Sequence, residues 1–173
     1  MLIRAFFLVA VLAATPLAAQ QADPPMTPER VAAILLALDP DAAASGQGVE
    51  LTIEDVPVLV VMDQAANRMR AMVPVASADA LSEADLARVM QANFDTALDA
   101  RYAIGQGRLW AVYVHPLAEL HGAQLIEGIA QTVNLARSYG TLYTSGSRIF
   151  GGGDSPGIYR DLLEDLLQRG QPL

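Results

Sequence analysis

The chain has 173 residues, 19 carboxylates, 11 basic side chains that are all arginine, and no cysteine, for a formal charge of −8. A surface this acidic repels phosphate backbones and anionic lipid, which argues against nucleic acid as a partner, while it favours solubility and steers basic partners. Without cysteine the fold gains nothing from oxidising surroundings and relies on its apolar core.

The first twenty residues, MLIRAFFLVAVLAATPLAAQ, place Arg4 before an apolar run from Ala5 to Ala14 and end near the small residues Ala18 and Ala19. This is the pattern of a secretory signal peptide, residues 1–19, cut after Ala19. As an integral membrane anchor the run is too short, since spanning takes roughly twenty apolar residues, and Pro16 follows it closely. Cleavage leaves about 154 residues, with ten arginines against 19 carboxylates and a charge of −9, the size of one ordinary domain. Alanine richness without lysine points to a GC-rich bacterial genome, and so to the periplasm as destination.

Residues 20–26, QQADPPM, read as a disordered linker. Thr27, Pro28 and Glu29 supply a cap, a first-position proline and a first-turn acid, so the sequence predicts a helix from Pro28 to Leu38 with Val31, Ile34, Leu35 and Leu38 inward. Asp39 and Pro40 end it, and DAAASGQG reads as a loop. Val49 to Ile53 alternates with period two, Val58 to Met62 is a nearly continuous apolar run, and Arg68 to Val73 alternates again. Together they predict a three-strand antiparallel meander with a turn from Asp63 to Asn67. Ser82 caps a helix from Glu83 to Ala97, with Leu86, Val89, Met90 and Phe94 as its inward stripe. Strands Ala100 to Ile104 and Arg108 to Val114 are joined by Gly105-Gln106-Gly107 as a hairpin loop, and Pro116 stops the second. A long helix from about Ala118 to Tyr139 turns Leu125, Ile126, Ile129, Val133 and Ala136 inward. The fold class is α+β: a helix, a three-strand meander, a helix, a two-strand hairpin and a long helix, forming one domain over residues 27–142.

Residues 143–173 read as a hinge and an appended helix. Gly153-Asp154-Ser155-Pro156-Gly157 fits the G-x-S-x-G letters of a serine-hydrolase elbow. Pro156 has no N–H to give to an oxyanion hole, and no histidine follows Ser155. A phosphate cradle of the Walker type needs lysine, and the dinucleotide pattern meets Pro156 where its third glycine should fall. The glycines Gly151, Gly152 and Gly153 make a flexible joint, Asp154 or Ser155 a cap, and Pro156 a first helical residue. The amphipathic helix that follows, Gly157 to about Arg169, sets Ile158, Leu162, Leu163, Leu166 and Leu167 on one face. As an appendage, it is expected to be removable without unfolding the core.

The meander VELTIEDVPVLVVMDQAANRMRAMVPV and the segment LARVMQANFDTALDARYAIGQGRLWAVYVHPLAEL, with the element order and the acidic balance, resemble the type III secretion chaperone-like superfamily. That superfamily includes the Tir chaperone (CesT) and YbjN-like families, and the resemblance spans about residues 26–139. It implies a small, acidic, non-enzymatic and often dimeric protein; the secretion chaperones bind an extended client segment on apolar patches. The export signal and the C-terminal helix lie outside the family pattern.

Other candidate chemistry has plainer explanations. His115, Glu119 and His121 match no zinc spacing. Asp161, Glu164 and Asp165 lack a calcium loop and read as a solvated face. Asp85, Asp95 and Asp99 read as caps and surface residues. No catalytic residue, metal ligand or cofactor is assigned. Met62, Met69, Met72, Trp110 and Tyr113 lie on predicted strands, and Met62, Met69, Trp110 and Tyr113 are the candidate polypeptide-binding residues. The expected function is an exported chaperone-like module, homodimeric, that binds a polypeptide client of unknown identity. Its acidic surface adds a salt-sensitive preference for basic clients. A structural, oligomer-forming periplasmic protein and an unrecognised hydrolase are the competing readings.

Overall fold

The structure, a computed structural model, describes residues 24–46, 48–95, 97–140 and 156–170. The signal segment and the hinge glycines Gly151, Gly152 and Gly153 lie outside the described residues. The elements run α1 (Pro28–Leu38), β1 (Ala43–Ser45), β2 (Gly48–Ile53), β3 (Val56–Asp63), β4 (Arg68–Ser77), a 3-10 turn (Ala78–Ala80), α2 (Glu83–Asp95), β5 (Arg101–Gly105), β6 (Arg108–His115), α3 (Gly122–Arg137) and α4 (Pro156–Arg169). The strands form a six-stranded antiparallel sheet in the order β1-β2-β3-β4-β6-β5. The chain is thus α+β, with the expected order of elements and one addition. The segment read as a loop after α1 contains β1, which pairs with β2 and extends the meander to four strands.

Local chemistry explains the boundaries. The Thr27 hydroxyl accepts the Arg30 N–H at 3.3 Å, and Pro28 opens α1. At the other end the Asp39 carboxylate accepts the N–H groups of Asp41 at 3.0 Å and Thr52 at 2.7 Å, which ties the helix end to β2. Glu54 and Asp55 between β2 and β3, and Gln106 and Gly107 between β5 and β6, all have positive φ. These are two-residue hairpin turns whose twist matches that of the strands.

The core fills one side of the sheet. Val49, Leu51, Ile53, Val58, Val60, Met69, Ala71, Val73, Leu109 and Ala111 point there, against Val31, Leu35 and Leu38 of α1 and Leu125, Ile126, Ile129 and Val133 of α3. α3 approaches the sheet at Gly128, where a Cβ would lie 2.5 Å from the Tyr113 ring.

Four expectations are corrected. Met26, placed in the linker from sequence, is buried and its N–H donates to the Ala118 carbonyl at 3.2 Å; Arg30 also holds the carbonyls of Pro24 and Pro25. The last long helix starts at Gly122, because Leu117 and Leu120 are buried in a preceding turn and His121 is the N-cap, its N–H donating to the Gln124 side chain at 3.0 Å. α2 turns Val89 and Ala92 inward, while Met90 and Phe94 are 65% and 67% exposed. α2 lies along the β5 edge rather than over the sheet, so it buries only a narrow stripe. Finally, α4 is integrated: Leu162 and Leu166 are buried in the common core, and the Arg169 guanidinium donates to the Leu38 carbonyl at 2.9 Å.

Candidate functional site

Strand side chains alternate between faces, so the buried set above defines a second, opposite face. No described helix packs on it. Its ladder can be followed across five strands: Glu50 pairs with Leu59, Leu59 with Met72, Met72 with Val112, and Val112 with Arg101. The next row is Gly48, Val61, Arg70 and Val114. Pro74, Trp110 and Ala103 form a third. Leu59, Val61, Met72, Trp110 and Val112 are half-buried only by their neighbours, and Val114 is 50% exposed.

Two hollows lie on this face. One of about 630 Å³ is lined by Leu59, Val61, Met72, Val112 and Val114, with Arg70 at its side. The other, about 410 Å³, runs toward Asp39, Asp41, Glu50 and Pro57. Trp110 lines both. Its indole N–H donates to the Gly105 carbonyl at 2.9 Å, which fixes the ring beside the hairpin turn.

Of the candidate residues from the sequence, Trp110 is on the open face. Met62 pairs with Met69 on the helix side, where Met62 is half-buried and Met69 fully buried. Tyr113 is buried under α3, its ring stacked on His115 at 6.1 Å. Burial pushes the Tyr113 phenol above its ordinary pKa, and the charges of Asp99 and Glu127 add to the shift. Leu59, Val61, Val112 and Val114 were missed. Their signals were the apolar runs Val58 to Met62 and Leu109 to Val114: an antiparallel strand with only one covered face should alternate, so apolar residues on both faces mark a second contact.

The edges of the sheet are less available than its face. Asn93 of α2 donates to the Tyr102 carbonyl at 3.0 Å and accepts the Tyr102 N–H at 2.7 Å, so one amide side chain occupies edge groups of β5. The opposite edge, β1, has three residues. Both devices limit strand addition.

The polar candidates serve the fold. The Asp85 carboxylate accepts the Ser82 hydroxyl at 2.7 Å and the Ser82 N–H at 3.1 Å, which lowers its pKa. Asp95 accepts from Gln91 at 2.5 Å and Asp99 from Gln131 at 3.2 Å. The Asn67 amide donates to Glu119 at 2.9 Å and holds that carboxyl below its ordinary pKa. His115 Nδ1 lies 2.7 Å from the Pro116 carbonyl. Asp161 and Glu164 are exposed on α4, and Asp165 pairs with Arg169. Among the described residues no three His, Cys, Asp or Glu side chains gather into a metal-holding group. No described helix is long and apolar enough to cross a membrane. Ser155 lies outside the described residues, although Pro156 does open α4.

No family model matches the chain, and no curated protein matches it. In structure it is similar to chains of three solved complexes. A chain of the ExsC–ExsE complex is 17% identical, over 57% of this chain and 77% of that one, with a TM-score of 0.43. A chain of the HopA1–SchA chaperone–effector complex is 12% identical, over 65% and 94%, with a TM-score of 0.49. A chain of the complex between the Yersinia pestis type III secretion chaperone SycH and a stable fragment of YscM2 is 13% identical, over 63% and 98%, with a TM-score of 0.46. The likeness is one of fold over part of the chain.

Proposed function

We propose that the chain is an exported, non-enzymatic, chaperone-like module that binds extended or partly unfolded polypeptide on the open face of its sheet. The observation that carries this reading is the apolar surface of β3, β4 and β6, which no described helix covers although the opposite face of the same strands forms the core with α1 and α3. Large contiguous apolar patches on a folded domain mark interaction sites. Broad, modest affinity follows from a shallow face that offers side-chain contacts and few edge hydrogen bonds.

Trp110 is the only tryptophan of the chain, so it reports on the face directly. Titrating the mature protein with a reduced, carboxymethylated polypeptide is expected to give a saturable change in its fluorescence. Val112→Glu, which puts a charge in the apolar row, should weaken binding by about tenfold or more with Tm unchanged. A flat titration of the wild-type protein would reject the reading and favour a structural role. Export rests on residues 1–19: protein recovered from the periplasm is expected to begin near Gln20, and an intact Met1 on cytoplasmic protein would overturn it. The homodimer belongs to the same reading through the family resemblance, and sedimentation of the mature chain measures it.

A further inference from the structure

The open face differs in charge from the rest of the molecule. Arg68, Arg70, Arg101 and Arg108 occupy its outward positions, against Glu50 and Asp63. Four of the chain's 11 arginines are thus gathered on one face of a protein whose net charge is −8. Apart from Asp63, which faces Arg68 across β3 and β4, the signs are also segregated. Glu50 sits on β2, with Asp39 and Asp41 lining the hollow beside it, whereas Arg70, Arg101 and Arg108 sit on β4, β5 and β6.

Arg68 faces Asp63 across β3 and β4, whereas Arg70 and Arg101 are not consumed by described carboxylates. Arg70 lies between Val61 and Val114 and makes no ion pair with a described residue. Arg101 is aimed by the carbonyls of Leu98 and Ala100, the latter at 2.9 Å, and these neutral acceptors orient its charge without cancelling it. The row from Glu50 to Arg101 therefore reads acid, three aliphatic side chains, base.

We propose that this face recognises an extended segment lying across the strands, with a basic side chain at the Glu50 end, apolar side chains over Leu59, Met72 and Val112, and an acidic side chain at the Arg101 end, Arg70 flanking the middle of the row on β4. The inference rests on the open face being the polypeptide-binding surface. Its length is set by the sheet: four strand spacings of about 4.8 Å span about 19 Å. An extended chain covers this in six steps of about 3.3 Å, so side chains i, i+2, i+4 and i+6 face the sheet as base, apolar, apolar and acid.

Competition measures it. Capped heptapeptides KSLSVSE, KSLSVSK and ESLSVSE are titrated against a labelled, carboxymethylated unfolded polypeptide bound to the mature protein. The dipolar peptide is expected to compete about threefold to tenfold better than either peptide with two like charges, in the range of two exposed charge contacts, with the advantage shrinking in salt. In the Arg70→Glu/Arg101→Glu variant the order should invert in favour of KSLSVSK. If the unfolded polypeptide binds but the three peptides compete equally, or none competes, the charge polarity is rejected while the binding face stands. If the unfolded polypeptide does not bind at all, both readings fall. A dimer that Arg101→Glu dissociates and Glu50→Arg/Arg101→Glu restores would assign the face to a second copy of the chain and overturn the proposal.

Discussion

Gly128 shows how one residue sets the distance between layers. Its missing side chain lets α3 rest on the Tyr113 ring, and a methyl group there would approach ring atoms to 2.5 Å. Alanine gains about 1 kcal/mol over glycine from helix propensity, whereas overpacking a filled core costs about 1–3 kcal/mol. Gly128→Ala is therefore expected to lower Tm despite its better propensity, and a rise in Tm would show that the ring can move aside. Strand parity works at the same scale. Trp110 and Tyr113, three apart on β6, cannot share a face, so a candidate site that includes both is divided by the pleat. Which of the two faces outward was not legible, because β3 and β6 carry apolar residues at odd and even positions alike. Only the helices on one side settle it.

At the scale of elements, periodicity identified α1, α2, α3 and α4 and the five strands β2 to β6, but neither β1 nor what each helix packs against. α2 is the clearer case. Leu86, Val89, Met90 and Phe94 have the spacing of a buried stripe, yet α1 and α3 already fill the covered face of the sheet, and α2 is pinned to the β5 edge through Asn93. α4 errs in the other direction, since a glycine-rich approach suggests an appendage while Leu162 and Leu166 enter the core. One comparison of variants tests both placements. Met90→Ser and Phe94→Ser should each change unfolding free energy by no more than about 0.5 kcal/mol, as at exposed positions. Leu166→Ala should cost about 2–5 kcal/mol, as for a buried leucine, and removal of residues 156–173 should cost more, against the sequence expectation that the core survives it unharmed. Denaturant midpoints that rank the variants in the reverse order would return α2 to the core and α4 to the periphery.

For the whole molecule, net charge and local charge act on different steps of binding. The mature chain carries −9 if cut after Ala19, and at distances beyond contact a client meets that total. Steering by opposite charge raises association rates and fades as salt screens it, with a Debye length of about 8 Å at physiological ionic strength. Basic clients should accordingly bind faster, and their rate should fall with salt. Once docked, a client meets the arginine-rich open face, where partly desolvated contacts between Arg70 or Arg101 and an acidic side chain are screened less. Dissociation is then governed by apolar burial and these short-range pairs, as expected where affinity differences reside mainly in off-rates. The preference for basic clients inferred from composition thus belongs to association, and the preference for an acidic end belongs to the bound state. Stopped-flow measurement of Trp110 fluorescence separates the two steps. With a basic unfolded polypeptide, the association rate constant should drop several-fold between 20 and 200 mM salt, on the order expected for charge-steered encounter, while the dissociation rate constant changes by less than about twofold. Arg70→Glu/Arg101→Glu should speed dissociation of an acid-bearing segment and, because it makes the chain more acidic by four charges, raise rather than lower the association rate of the basic one. An association rate that climbs with salt for the basic client would mean that the arginines of the face, rather than the acidic total, control the encounter.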